Sequence, residues 1–266
     1  MADCQIAIAR SGAIEGEGVH VLPAGGAELV NAICGDIPKE FEPLLPFAAV
    51  FRNDSDKEII AYAVSWVCTN ATGKRLRPEI AIFDFSTFRP GSNFPAHTAR
   101  LVSNLIGLGS GRVPVSDYTI QESTDLLALF KKQQSIVISL DAIVFSDGIA
   151  VGPDSNNWIP RWKAFIDAER TVFGLINEQQ EWSTEITEWA KEGYQKAGLE
   201  FGVDDAGFIQ MAAERSAHTY QECYILLRDY FAAEVLRRCK KDGVEATLQF
   251  VASHTRGKQY PMIRTC

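Results

Sequence analysis

The sequence predicts an α+β protein, with an antiparallel β-sandwich over residues 1–157 and a helical region over residues 158–266. Three observations carry this expectation. Between Pro46 and Gly152, short apolar runs are separated by clusters of Asn, Asp, Ser and Gly, and no long helical repeat intervenes. Within that stretch Ser135–Phe145 (SIVISLDAIVF) alternates at the two-residue period of a strand. From Trp158 onward apolar residues recur at the spacing of an α-helix instead.

The strands follow in order. FAAVF (47–51) leads through Asn53-Asp54-Ser55-Asp56 into EIIAYAVSWVC (58–68), which predicts a β-hairpin. In its second strand Ile60, Tyr62, Val64 and Trp66 share one face, and Ala61, Ala63 and Ser65 share the other. The large residues mark the side that faces a core. A second turn at Asn70-Ala71-Thr72-Gly73 leads into RPEIAIFDF (77–85), and ARLVSNLI (99–106) is a further strand candidate. Ser123 to Lys132 reads as a short helix capped by Ser123. In 135–145, Ile136, Ile138, Leu140, Ala142 and Val144 alternate with Val137, Ser139, Asp141, Ile143 and Phe145, and Ser146-Asp147-Gly148 supplies a turn. Trp66 and Leu140 are expected on the inner faces.

In the second half Trp162, Phe165/Ile166, Glu169, Val172/Phe173 and Ile176 form one stripe, with Trp182, Ile186 and Trp189 continuing it or opening another helix. The longest candidate runs from Asp205 to about Lys241 along Ile209, Ala213, Ser216, Tyr220, Cys223/Tyr224, Leu227, Phe231 and Val235. Gly243 is its expected stop, and a last helix is expected over Val244 to Ser253.

Composition excludes several function classes. With 46% hydrophobic and 23% charged residues the chain is neither disordered nor fibrous. A net charge of −8 argues against nucleic acid as a partner. No apolar run approaches the ~20 residues of a membrane span, so no membrane role is expected. The start MADCQIAIAR lacks the pattern of a signal peptide, and the six cysteines are scattered without a CxxC pair. A cytoplasmic protein with reduced thiols is the resulting expectation, or an exported one if a signal peptide has been removed. Two glycosylation-type triplets occur, Asn53-Asp54-Ser55 and Asn70-Ala71-Thr72, in a motif common by chance.

Chemistry has few footholds. Glu214, His218 and Glu222 are spaced by four on one helical ridge, a pattern that can hold a divalent metal when a second helix adds ligands. The ridge lies nearly opposite the Tyr220–Leu227–Phe231 line, so a solvated face is the expected reading. Asp141, Asp147 and Asp154, with Asn156 and Asn157, are the best calcium-like set, though their spacing fits no EF-hand loop and turn chemistry accounts for them. Gly107-Leu108-Gly109-Ser110-Gly111 lacks the Gly-Lys-Ser/Thr ending of a phosphate loop, and Pro114 disfavours a following helix. His97 lies in a proline-bounded loop without a local partner, and Cys223 falls on the apolar line. No cofactor is expected, and no catalytic residue is assigned.

Phe51 to Tyr62 and Leu140 to Gly148 carry the patterns N-x-S-x-K-x-I-x-A-Y and D-A-x-x-F-x-D-G. Together they resemble uncharacterised bacterial hypothetical proteins. The resemblance implies an immunoglobulin-like sandwich, often in exported proteins, and carries no activity.

The function expected from these readings is a non-enzymatic binding or assembly protein of β-sandwich type. The alternative is a hydrolase or metal-dependent enzyme with a site between the sandwich and the helices. Trp158, Trp162, Trp182, Trp189, Tyr194, Tyr220, Tyr224, Tyr230 and Phe231 are numerous enough to suggest that the helical half also serves a homodimer or protein partner.

Overall fold

A computed structural model describes residues 4–22, 42–47, 49–76, 88–96, 117–179, 184–201, 219–257 and 262–265. The expected strands at 77–85 and 99–106, the glycine cluster 107–111, His97 and Trp182 lie outside them. The fold is α+β, with open sheets and helices. The chain divides into two compact units, Met1–Asn156 with Arg264–Cys266, and Asn157–Ile263. The last strand thus rejoins the first unit, whereas the sequence placed it with the helices.

In the first unit, strands β1 (Gln5–Ala9), β2 (Val19–Val21), β3 (Ala49–Asn53), β4 (Ile59–Asn70), β5 (Arg75–Leu76), β6 (Asn93–Ala96), β7 (Gln133–Phe145), β8 (Ile149–Val151) and β9 (Arg264–Thr265) form two sheets. Among the described residues it also holds helices α1 (Gly12–Gly16) and α2 (Asp117–Phe130) and a 3₁₀ turn at Glu42–Phe47. One sheet runs β5-β4-β7-β8-β9, with β1 also paired to β7, and the other runs β2-β3-β6. The first sheet is mixed, not wholly antiparallel. β1 lies parallel to the first half of β7, from Gln5 opposite Ser135 to Ala9 opposite Ser139, and β9 lies parallel to β8.

The expected hairpin between residues 47–51 and 58–68 is not formed. β3 pairs with β2 and β6, and β4 pairs with β5 and β7, so the turn at 54–58 carries the chain from one sheet to the other. Asn53 explains the crossing. It is fully buried, and its Nδ2 donates to the carbonyls of Lys57 (2.8 Å) and Phe88 (3.0 Å). Its Oδ1 accepts from the Ser55 hydroxyl at 2.6 Å and from the Ser55 N–H at 3.2 Å. With every hydrogen-bonding site of the carboxamide used, by the turn and by the Phe88 carbonyl, the ladder that a hairpin would extend is replaced by a side-chain knot. The second turn behaves as expected, with Cys68 opposite Leu76 and Thr69 opposite Arg75.

A common core joins the sheets. Tyr62, Val64, Trp66, Ile136, Ile138 and Leu140 meet Phe47, Phe51 and Phe94. Tyr62 packs edge-on against Phe94 at 5.1 Å, and the Trp66 indole donates to the Phe47 carbonyl at 3.0 Å. Trp66 and Leu140 are inward, as their alternation implies. The alternation breaks, however, at register shifts, two of which fall in the buried stretch. Ile59 pairs with Phe145 and Ala61 with Val144, leaving Ile60 as an extra residue; Ala63 pairs with Ala142 and Val64 with Leu140, leaving Asp141 extra. Ile59 therefore joins the core in place of Ile60, and Ile143 and Phe145 join it in place of Ala142 and Val144. The small residues Ala61, Ala63 and Ala142 are buried too, so the centre of β4 and β7 is enclosed on both faces.

The second unit is helical: α3 (Trp158–Gln179), α4 (Thr184–Lys196), α5 (Tyr220–Asp242) and α6 (Val244–Gly257). Ala164, Ala168, Val172, Phe173 and Ile176 of α3 bury against Ile186 and Ala190 of α4, Leu227, Phe231 and Val235 of α5, and Val251 of α6. Of the expected helix from Asp205, residues 220–242 are described, and Gly243 stops it with φ at +87°. The helix expected from Ser123 starts earlier, at Asp117, so Ser123 lies inside it and is not a cap. The counted aromatics are largely taken up within this unit. Phe231 meets Phe165, Phe173 and Tyr230, Tyr220 stacks on Tyr224, and Trp189 lies under Arg228.

Candidate functional site

The bulge at Asp141 organises the most elaborate polar loop of the first unit. Asp141 is 1% exposed. Its carboxylate accepts from the Ser155 N–H at 3.0 Å, the Asn156 N–H at 3.3 Å and the Asn156 Nδ2 at 3.4 Å, while its carbonyl accepts from the Asp154 N–H at 2.9 Å. Asp154 and Asn157 adopt positive φ, +47° and +56°, a region these short polar side chains tolerate. Both carboxylate oxygens thus serve backbone donors, which makes Asp141 the anchor of the 152–157 loop.

Asp147 belongs elsewhere. Its Oδ1 accepts from the Ile149 N–H at 3.0 Å, and Lys57 Nζ pairs with it at 2.9 Å. Burial pushes its carboxyl up, but the Ile149 N–H and Lys57 outweigh that and hold it below the ordinary range. The structure therefore gathers Asp141, Asp154 and Asn156 of the calcium-like set into one loop, commits Asp147 to Lys57, and leaves Asn157 exposed. Among the described residues no three His, Cys, Asp or Glu side chains are placed to hold a metal ion.

Of the Glu214–His218–Glu222 row, Glu214 and His218 lie outside the described residues. Glu222 closes a capping box. Its carboxylate accepts from the Thr219 N–H at 3.0 Å, and the Thr219 hydroxyl accepts from the Glu222 N–H at 3.2 Å. Beside it, Asp167 on α3 accepts from the Tyr220 hydroxyl at 2.8 Å and pairs with Lys163, whose ammonium also lies over the Tyr220 ring. Burial and the Asp167 charge push the Tyr220 phenol up, so it stays a protonated donor. Asp229 of α5 is fully buried and pairs with Lys196 at 2.6 Å and Arg228 at 2.6 Å. The Asp167 and Asp229 clusters each tie one helix to another.

Cys4, Cys68 and Cys223 are free thiols, and Cys34 and Cys266 lie outside the described residues. Burial raises the Cys223 thiol, in keeping with a small buried hydrophobe. Cys68 is pushed up to about 11, first by burial and then by Cys4.

Sequence reasoning missed β1, because Gln5–Ala9 was weighed only for targeting, although QIAIA alternates like a strand. Four of its five residues are exposed, including Ile6 at 39%. Among the described residues it pairs with β7 alone. It holds no charged residue and no proline, the features that ordinarily shield an open strand edge. No family model, curated protein or solved structure matches the chain. No helix of the described residues is long and apolar enough to cross a membrane.

Proposed function

We propose that this is a non-enzymatic binding or assembly protein, built on an immunoglobulin-like sandwich of the kind found in the bacterial hypothetical proteins it resembles. The exposed, uncharged edge strand β1 carries the reading. Such an edge presents a row of backbone donors and acceptors that an extended segment of another chain can complete, with side chains at alternate positions setting specificity. The polar clusters support the same reading, because the carboxylates of Asp141, Asp147, Asp167 and Asp229 are each engaged in holding loops or helices. Partner binding through the helical unit draws less support, since most of its described aromatics pack within the unit.

The test is crosslinking of the full chain in lysate of its source cells, with peptide mapping, beside an Ile6→Lys variant of equal melting temperature. Crosslinks joining a partner segment to residues 5–9, lost in the variant, are the expected result. Identical crosslinks from both proteins, or none from either, would remove the reading.

A further inference from the structure

The two Asn-Xaa-Ser/Thr triplets stand in opposite environments. We propose that, where the chain meets an oligosaccharide transferase, Asn70 is a site of N-linked glycosylation in the folded protein and Asn53 is not.

The chemistry asks for a carboxamide nitrogen that solvent can reach, with the hydroxyl two residues on placed against the same carboxamide. Asn70 ends β4 at the turn into β5. It is half-buried, and Ala71, Thr72, Gly73 and Lys74 after it are exposed. Its Oδ1 accepts from the Thr72 hydroxyl at 2.7 Å, the Thr72 N–H at 3.0 Å and the Lys74 N–H at 2.9 Å. Three donors on one oxygen fix the carboxamide plane. Its Nδ2 donates to no group among the described residues. At Gly73 an added Cβ would meet nothing within 4 Å, so the tip of the turn stands clear of the described chain.

Asn53 has the opposite environment. It is fully buried, and both hydrogens of its Nδ2 are spent on the Lys57 and Phe88 carbonyls. A sugar on that nitrogen removes one of those bonds and cannot be housed in the crossing between the sheets. The same three-residue motif thus yields a sheet-crossing knot at one site and a presented amide at the other.

The co-reactant is a lipid-pyrophosphate-linked oligosaccharide. The bond between Asn70 Nδ2 and the first sugar carbon forms as the bond from that carbon to the pyrophosphate oxygen breaks. The lipid pyrophosphate leaves with the electron pair, and the proton lost from Nδ2 passes to a base of the transferase.

The test expresses the full chain behind a cleavable secretion signal in eukaryotic cells and maps glycopeptides in the natively folded, protease-resistant fraction. One glycan on the peptide holding Asn70 is expected, with none on Asn53. Asn70→Gln and Thr72→Ala should each abolish the glycosidase-sensitive mass shift, and Thr72→Ser should keep it. An unmodified Asn70 in the wild-type folded fraction overturns the proposal, as does a glycan on Asn53 in that fraction. Both readouts come from the wild-type chain, so neither depends on how the variants fold.

Discussion

Gly152 lies against the bulge at Asp141 so closely that a Cβ on it would stand 2.3 Å from the Asp141 carbonyl oxygen and 2.8 Å from Ala142 Cα. Its φ of +143° is also one that other residues rarely adopt. The backbone on both sides is fixed: Asp141 is pinned by Ser155 and Asn156, and Ala142 pairs with Ala63. Gly152→Ala should therefore cost at least about 3 kcal/mol, the sum of a strained dihedral and a displaced ladder. Gly73→Ala, at φ +78° with open space around it, should cost about 1 kcal/mol. Denaturant titration of the two variants checks this, and equal midpoints would show that the contact at Gly152 is not restrictive.

The bulge also decides which side chains of β7 fill the core. Leu140 and Ile143 lie on the core side, although strict alternation puts them on opposite faces. Leu140→Ala and Ile143→Ala should each cost about 2–5 kcal/mol. Unfolding midpoints that fall for Leu140→Ala and stay unchanged for Ile143→Ala would restore the unbroken alternation.

These two strands mark how far the sequence could be read. The periods of β4, β7 and helices α3 to α6 stand in the residues themselves, because burial on one side of a strand or helix imposes its spacing locally. A bulge leaves no such trace, being an offset between two strands that neither one's pattern contains. The crossing after Asn53 was illegible for a related reason. Its turn residues suit a hairpin equally well, and the Phe88 carbonyl that decides the matter is 35 residues away. In the polar sites, the turn role of Asp147 was legible from the glycine beside it, but its pairing with Lys57 was not.

Glu234 gives the protein an acid-sensitive contact. Its side chain is 17% exposed and receives Arg237 at 2.8 Å and Arg238 at 2.7 Å. Burial pushes the carboxyl up, and the two guanidiniums more than reverse this, so it titrates below its ordinary 4.5. A depressed folded-state value means that the stabilisation is present above about 4.5 and is lost as pH falls through the folded value. Glu234→Gln should lower stability by about 1 kcal/mol at pH 7. That difference should shrink steadily below pH 4.5 in thermal melts, and a pH-independent difference would place its origin in packing.

Cys68 works in the other direction. Its thiol is held neutral to about 11, against 9.0 for an ordinary cysteine. A raised folded-state value gives stability that is complete below 9 and lost as pH rises through 11, because only the unfolded thiol ionises readily in that window. Cys68→Ala should flatten the alkaline limb of the stability curve. In the native protein at pH 8, iodoacetamide should label Cys68 far more slowly than it does after denaturation. Equal labelling rates in the two states would mean that the thiol is not enclosed.

The helical unit depends on one carboxylate with no access to solvent. Asp229 accepts from Arg228 through Nε and Nη2 and from Lys196, and Glu192 lies 3.4 Å from both cations. A Cβ on Gly193 would come within 3.1 Å of Asp229 Cβ, so α4 and α5 meet closely here. The two partners are not equivalent, because Lys196 is 41% exposed and Arg228, lying over the Trp189 ring, is 17% exposed. Removing Lys196 leaves the carboxylate its Arg228 fork, and water can reach the vacated side. Removing Arg228 strips two bonds from a buried charge and uncovers Trp189. Lys196→Met should therefore cost about 1 kcal/mol and Arg228→Met about 3 kcal/mol or more. The double variant should be more destabilised than the sum, since each single variant leaves the buried carboxylate one cation that the double removes. Chemical denaturation of the three proteins reads this directly, and strict additivity would mean that the two cations act on Asp229 independently.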